Sequence, residues 1–95
     1  MMKKYRKNPM IVARMVDGRG YLVPLADDIR DMKKMYQLNP LGWFIWQVLD
    51  QVTDLDALSE RIAGEFDVEK GSAYKDAENF LKHLSNIGAI LVTSQ

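Results

Sequence analysis

The sequence predicts an α+β domain in which a three-stranded antiparallel sheet is followed by three helices. Its 95 residues allow one small hydrophobic core and no second one. Between residues 10 and 38, β-branched and apolar runs are separated by turn signals, which is typical of strands. From residue 39 onward, apolar residues recur at spacings of three and four, which is typical of amphipathic helices. We expect a single domain over residues 10–92, preceded by a flexible basic tail over residues 1–9.

Three strands are expected before residue 39. Residues 10–16 are apolar and β-branched, and residues 17–20 (Asp-Gly-Arg-Gly) are a turn signal. Residues 21–23 then form the returning strand of a hairpin, and Pro24 weakens its pairing because proline has no backbone donor. Residues 32–38 form a third, shorter strand, whose lysines are typical of a sheet edge.

The first helix is predicted from residue 39 to about residue 52. Asn39 can accept backbone N–H bonds as the N-cap, and Pro40 suits the first helical position because its missing N–H would have been unpaired. Trp43 lies on the face opposite the apolar stripe, so we expect it to be partly exposed. The stripe consists of Leu41, Ile45, Val48, Leu49 and Val52.

Two further amphipathic helices follow. Residues 53–56 (Thr-Asp-Leu-Asp) resemble a capping box with aspartate in place of glutamate. Ser72 is a good N-cap for the third helix, and Gly88 fits its left-handed C-terminal cap. Residues 89–92 either lie across the core or extend a sheet edge. The apolar faces are Leu55, Leu58, Ile62 and Phe66 on the second helix and Ala73, Ala77, Phe80, Leu81, Leu84 and Ile87 on the third.

The composition excludes several functional classes. Thirteen basic and thirteen acidic residues cancel, so the domain as a whole has no electrostatic attraction for nucleic acid or for a membrane. There is no cysteine, which excludes disulfides and thiolate chemistry. No run approaches the roughly 20 apolar residues of a membrane span, and no hydrophobic signal-peptide core follows the basic start. We expect a cytoplasmic protein.

The sequence shows no catalytic or metal-binding pattern. His83 is the only histidine, and a lone histidine on a helix flank is more often a packing or interface residue than a catalyst. Asp54 and Asp56 are explained by helix capping. There is no phosphate-cradling glycine loop, no nucleophile elbow and no calcium loop. We expect no enzymatic activity, no catalytic residue, no metal and no cofactor.

Two other functions remain open on the residues alone. The second and third helices, with the preceding hairpin, could form a winged helix-turn-helix that binds DNA as a transcriptional regulator. The basic Lys75 and Lys82 on the third helix are cancelled by Asp76 and Glu78, which disfavours binding to phosphates. A structural module that forms a homodimer, through Trp43 or the hairpin edge, is the other possibility.

One set of residues matches, in order and spacing, a pattern that is fairly specific as a whole. It consists of residues 21–24 (Tyr-Leu-Val-Pro), residues 38–40 (Leu-Asn-Pro), Gly42, Ile45, Leu49, Asp50, Thr53, Leu58, Asp76, Phe80, Leu84 and Gly88. This set resembles the pyrroloquinoline quinone (PQQ) synthesis protein D family over roughly residues 10–92. Members of the family are small peptide chaperones, and their fold recurs as the precursor-peptide recognition element of ribosomal peptide-modifying systems. Gln51 departs from the family pattern, which usually has a glycine there.

The resemblance implies a winged-helix-like, non-catalytic chaperone. Such a domain binds the leader segment of a ribosomally made precursor peptide and presents it to a modifying enzyme, commonly a radical S-adenosylmethionine enzyme, as in the synthesis of PQQ or of related peptide products. The leader adds as a strand to the edge of the third strand, in a groove closed by the third helix. On this sequence, the implied peptide-binding residues are Lys34, Met35, Tyr36 and Gln37 on the edge and Asp76, Asn79, Phe80 and His83 on the helix.

Several of these residues have a structural interpretation as well. Phe80 suits the core better than the groove, and Tyr36 alternates with Leu38, which would turn it inward. Asp76 lies in the first turns of its helix, where a carboxylate stabilises the macrodipole. Lys34 can attract an acidic leader or simply protect the sheet edge.

Overall fold

The structure is a computed structural model that describes residues 3–25 and 35–94. The predicted α+β class, with a three-stranded antiparallel sheet followed by three helices, is confirmed. Among the described residues, no helix has the length and apolar character needed to cross a membrane. The elements are β1 (Lys3–Lys7), β2 (Ile11–Val16), β3 (Arg19–Pro24), β4 (Tyr36–Leu38), α1 (Pro40–Val48), α2 (Leu55–Phe66), α3 (Lys70–Asn86) and β5 (Ile90–Ser94).

The predicted three-stranded sheet has the order β2-β3-β4, with both pairs antiparallel. Asp17 and Gly18 both have positive φ, of 52° and 78°, which is the backbone of a two-residue hairpin turn. Because this turn uses only two residues, β3 begins at Arg19, two residues before the predicted start. The described part of β4 covers the end of the third predicted strand, and residues 32–34 lie outside the described residues.

A second, two-stranded sheet forms where the sequence predicts a flexible tail. β1 pairs antiparallel with β5, from Lys3 opposite Ser94 to Lys7 opposite Ile90. Tyr5 is buried, and its backbone N–H donates to the Thr53 carbonyl at 2.9 Å. The expectation of a flexible tail over residues 1–9 is therefore wrong for β1. The sequence of this segment shows mainly basic residues, but the burial of Tyr5 and the pairing with β5 hold it in place. Residues 89–92 do not extend the predicted sheet. Ala89 and Ile90 are buried in the core, and β5 pairs with β1 in this separate sheet.

Lys7 attaches this second sheet to α1. Its ammonium is 2.8 Å from an Asp50 carboxylate oxygen and 5.1 Å from the centroid of the Trp46 ring. Trp46 itself is buried, so this tryptophan is a core residue. Trp43 is partly buried, and its ring lies against the backbone of Gly20 on β3. Both tryptophans thus pack α1 onto the two sheets.

α1 begins as predicted and ends early. Asn39 is the N-cap, its side-chain oxygen accepting from the Gly42 N–H at 2.7 Å, and Pro40 is the first helical residue. The helix ends at Val48 rather than near residue 52. The chain then turns, with the Val52 N–H donating to the Val48 carbonyl at 2.9 Å, before the Thr53 carbonyl accepts the hydrogen bond from β1.

α2 and α3 pack against each other and are joined by residues 67–69. Asp54 caps α2 by accepting from the Ala57 N–H at 2.8 Å. The prediction that Ser72 caps α3 is wrong, because α3 begins at Lys70. The Lys70 ammonium lies 3.0 Å from Asp56 and 3.3 Å from Glu60 on α2, and α3 begins nearly one turn earlier than predicted. Gly88, with φ of 81°, forms the predicted left-handed cap.

One core lies between the two sheets and the three helices. Its fully buried side chains come from β3 and from all three helices. Most residues of the predicted helical faces are buried, and Leu41, Val52, Phe80 and Ile87 are partly buried against the core. Phe66 is 38% exposed and contacts Phe44 edge-on at 5.4 Å. The largest fully buried apolar residues are Leu22, Ile45, Leu58, Ile62, Leu81 and Leu84.

Candidate functional site

β4 is the last strand in its sheet, so it has one edge that no described strand pairs. Leu38 anchors β4 because its side chain is buried in the core, whereas Gln37 is exposed. An edge strand of this kind presents unpaired backbone N–H and C=O groups. It is the one place in the three-stranded sheet where a further strand could be added beside α3.

A groove lies between the edge of β4 and α3. It has a volume of about 280 Å³ and is lined by Tyr36, Gln37, Leu38, Asn39 and Phe80. We call it the β4–α3 groove. Its walls combine the rings of Tyr36 and Phe80 with Asn39 and the edge of β4, so it can bury an apolar side chain and also donate and accept hydrogen bonds.

Tyr36 and His83 join the strand to the helix. Their ring centroids are 5.4 Å apart and the rings are tilted by 40°. Tyr36 lies on the same side of the sheet as Leu22, its register partner, so its predicted inward orientation is confirmed. Burial raises the pKa of the Tyr36 phenol above its ordinary value of 10.0, so the hydroxyl is a neutral donor at physiological pH.

Phe80 serves both the core and the groove. The ring packs against the core cluster and is only partly buried, which leaves part of it to line the groove. It lies over Gly42 on α1, where an added Cβ would be 3.0 Å from the Phe80 Cζ atom. The absence of a side chain at residue 42 is what allows the ring this position.

The remaining predicted residues are less closely placed. Met35 immediately precedes β4 and is 51% exposed, and Asp76 is exposed on α3, one turn before Phe80. Asn79 is also exposed and lines a different cavity. Lys34 lies outside the described residues.

Asn39 and the buried Leu38 line the groove but were not predicted as site residues, and Asn39 is the polar one of the two. Its side chain caps α1 and its surface lines the groove, so a residue recognised only as a helix cap has a second position at the candidate site. Its location directly after the edge strand was the available signal, since the residue that ends β4 must also border the opening beside it.

A second cavity of about 470 Å³ lies on the other flank of α3, where the helix faces β1 and β5. Its lining mixes polar and apolar residues and carries both signs of charge, from Lys3, Glu78 and Lys82. The buried Tyr5 forms part of its floor. The residues that the structure describes contain no cluster of histidine and carboxylate side chains able to hold a metal ion.

A model of the family described as coenzyme PQQ synthesis protein D (PqqD) matches residues 13–90. The chain belongs to the PqqD family. The matched span contains β4, α3 and every residue of the β4–α3 groove, and it leaves β1 outside. The resemblance found in the sequence is thereby confirmed.

Two solved structures share the fold of this PqqD-family chain. The structure described as TbiB1 in complex with the TbiA(beta) leader peptide is 20% identical, covers 90% of this chain and 93% of its own, and has a TM-score of 0.73. The structure described as lasso peptide synthetase B1 complexed with the leader peptide is 22% identical and has a TM-score of 0.76. The match covers 93% of this chain and 98% of the other. No curated protein matches the sequence.

Proposed function

We propose that this PqqD-family chain is a non-catalytic peptide chaperone that binds the leader segment of a ribosomally made precursor peptide. The leader adds as a strand to the free edge of β4 and lies in the β4–α3 groove. The chain then presents it to a peptide-modifying enzyme, such as a radical S-adenosylmethionine enzyme that makes PQQ or a related product. Because the precursor is made by ribosomes, we place this activity in the cytoplasm.

The observation that carries the proposal is the edge of β4 that none of the described strands pairs, which faces the groove beside Phe80. Strand addition takes affinity from backbone hydrogen bonds and selectivity from pockets that receive alternate side chains. The edge of β4 offers the backbone hydrogen bonds, and the β4–α3 groove offers a pocket for a side chain. The leader peptides in the two similar structures, and the family to which the chain belongs, support a leader peptide as the ligand.

The charge on α3 gives no support to DNA binding. Its exposed Lys75 and Lys82 alternate with Asp76 and Glu78, so the helix offers no cationic surface to phosphates. Duplex DNA therefore serves as the negative control in the test below.

The test is a titration of the isotopically labelled chain with a synthetic leader from the precursor gene beside its own. We expect the amide signals of residues 35–38 and 76–87 to shift, and those of the 17–18 turn to stay in place. Binding of the leader with the groove signals unmoved would show that the site is wrong. No binding of any neighbouring leader would overturn the function itself.

A scan of N-methylated leaders tests strand addition directly. In an antiparallel pair, only alternate residues of the added strand direct their N–H groups at β4. Methylation should therefore weaken binding by about tenfold at every second position and leave the positions between nearly unchanged, since one lost and sterically blocked hydrogen bond costs about 1.4 kcal/mol or more. A uniform effect along the peptide would exclude strand addition.

A further inference from the structure

The outer face of the β2-β3-β4 sheet is turned away from the helices. Register partners point to the same side, and Leu22, with its partners Ala13 and Tyr36, points into the core. The residues that alternate with these must point outward. On β2 and β3 the outer face carries Val12, Arg14, Val16, Arg19, Tyr21 and Val23.

This outer face has the composition of a protein interface. Tyr21 and the facing pair Val12 and Val23 are partly buried at its centre. Arg14 and Arg19 are exposed around them, and none of the described strand residues on this face is acidic. An apolar centre with tyrosine and arginine is characteristic of binding hot spots, and it fits a partner surface that carries carboxylates around an apolar patch.

The same face continues to the proposed peptide edge. Gln37 on β4 is the register partner of Tyr21, so it also points outward. A strand added to β4 would prolong the sheet, and every second side chain of that strand would lie beside Gln37 on the outer face. The bound leader would then supply the last row of one continuous surface.

We propose that the outer face, prolonged by the bound leader, is the docking surface for the peptide-modifying enzyme. This inference rests on the proposed function and specifies how the second partner is recognised. The enzyme meets the face with carboxylates opposite Arg14 and Arg19 and with apolar side chains opposite Tyr21. It contacts the chaperone and the leader together, so it binds the complex more tightly than it binds the chaperone alone.

A second copy of the chain is a poorer occupant of the same surface. Two such faces related by a two-fold axis would bring four arginines into one interface, with no carboxylate from the described strand residues of either face. Like charges placed together across an interface are unfavourable, whereas an acidic partner is attracted.

The test compares two double variants with the same change in charge. Arg14→Glu with Arg19→Glu alters the outer face, and Arg61→Glu with Lys75→Glu alters exposed positions of α2 and α3. The probes are the synthetic leader and the purified modifying enzyme, both encoded beside this chain. Leader affinity, enzyme affinity with and without leader, and sedimentation of the free chain are measured for each variant.

For the outer-face variant we expect leader affinity to stay within about twofold, which also shows that the variant is folded. Its complex should lose about tenfold or more in enzyme affinity, and in the unaltered chain that affinity should fall as salt is raised. The control variant should keep both affinities. With the unaltered chain, the leader should strengthen enzyme binding by about tenfold.

Three outcomes would overturn the inference. Enzyme affinity could be unchanged in the outer-face variant, or it could fall equally in the control, which would reveal only a general effect of charge. The free chain could also form a dimer that the outer-face substitutions dissociate, in which case a second copy is the occupant. Failure of the leader to bind would instead overturn the proposed function. The enzyme affinities of the free chain and of its outer-face variant would then still show whether the enzyme binds the outer face.

Discussion

The Phe80 ring lies directly over Gly42, so the wall of the β4–α3 groove depends on a helix position that has no side chain. A Cβ at residue 42 would be 3.0 Å from the Phe80 Cζ atom and 3.1 Å from the Asn39 side-chain oxygen. Neither neighbour can move freely, because Phe80 packs on the core and Asn39 caps α1. One substitution there tests packing, capping and the groove together.

Gly42→Ala should lower the free energy of unfolding by about 1–2 kcal/mol. The cost of overpacking, about 1–3 kcal/mol, exceeds the gain of up to about 1 kcal/mol in helix propensity. Gly64→Ala on α2 is the matched control, since a Cβ there would have nothing within 4 Å and the substitution should stabilise the chain by about 0.5–1 kcal/mol. Urea unfolding of both variants measures the difference, and equal shifts would contradict the packing of Phe80 on Gly42.

Asn39→Ala should cost about 1 kcal/mol because the Gly42 N–H loses its acceptor. Asp54→Ala should cost a similar amount at the start of α2, where the Ala57 N–H loses its acceptor. Only Asn39 lines the groove, so leader binding at a temperature where both variants are folded should weaken for Asn39→Ala alone. If both variants bind equally well, Asn39 acts only as a cap.

Gly20→Ala should destabilise the chain by about 2 kcal/mol, because a Cβ at residue 20 would overlap the Trp43 ring. Gly20 is also the register partner of Leu38, so the strain falls on the pairing that holds the edge strand. Relative to the unaltered chain, the substitution should therefore accelerate amide hydrogen exchange more in β4 than in β5. The same substitution made in a Trp43→Leu background should cost markedly less, and an additive result would exclude the contact as the cause.

The stability of the chain should fall at alkaline pH partly through Tyr5. Burial raises the pKa of its phenol above the ordinary 10.0, and the charges of Glu78 and Tyr74 act in the same direction. A raised pKa means that the folded state holds the proton more tightly than the unfolded chain does. This stabilisation is fully present below pH 10.0 and is lost as the pH rises through the raised pKa.

Melting temperatures at about pH 8 and about pH 11 measure this effect, since tyrosine titrates near pH 10. Between these two pH values, the melting temperature of Tyr5→Phe should fall less than that of the unaltered chain. The fall for Glu78→Gln should be intermediate. Equal losses in all three proteins would show that Tyr5 does not contribute.

Local signals were enough to predict the hairpin turn, most of the helical faces and the caps at Asn39 and Gly88, but not the start of α3. The turn at Asp17 and Gly18, the cap at Asn39 and the cap at Gly88 each depend on neighbours within a few residues. β1 could not be predicted in the same way, because its order comes from pairing with β5 at the other end of the sequence. The start of α3 was misplaced for a related reason, since Lys70 contacts α2.

The candidate site was predicted in part. Tyr36, Gln37 and Phe80 meet at the groove and His83 contacts Tyr36, whereas Asn79 lines the cavity on the other flank. Helical periodicity places Asn79 close to the face of Phe80 and His83, but only the packing of α3 against β4 decides where that face ends. The same packing brings Asn39 to the groove.

The pairing of Lys3 with Ser94 brings the two ends of the described fold to one place, on the flank of α3 away from the groove. A tether attached at either end would therefore leave the molecule from the same side and would not cross the peptide edge. The domain could be joined to a catalytic partner through its first or its last strand with the same geometry. In such a fusion, the partner could therefore precede or follow the domain without obstructing the β4 edge.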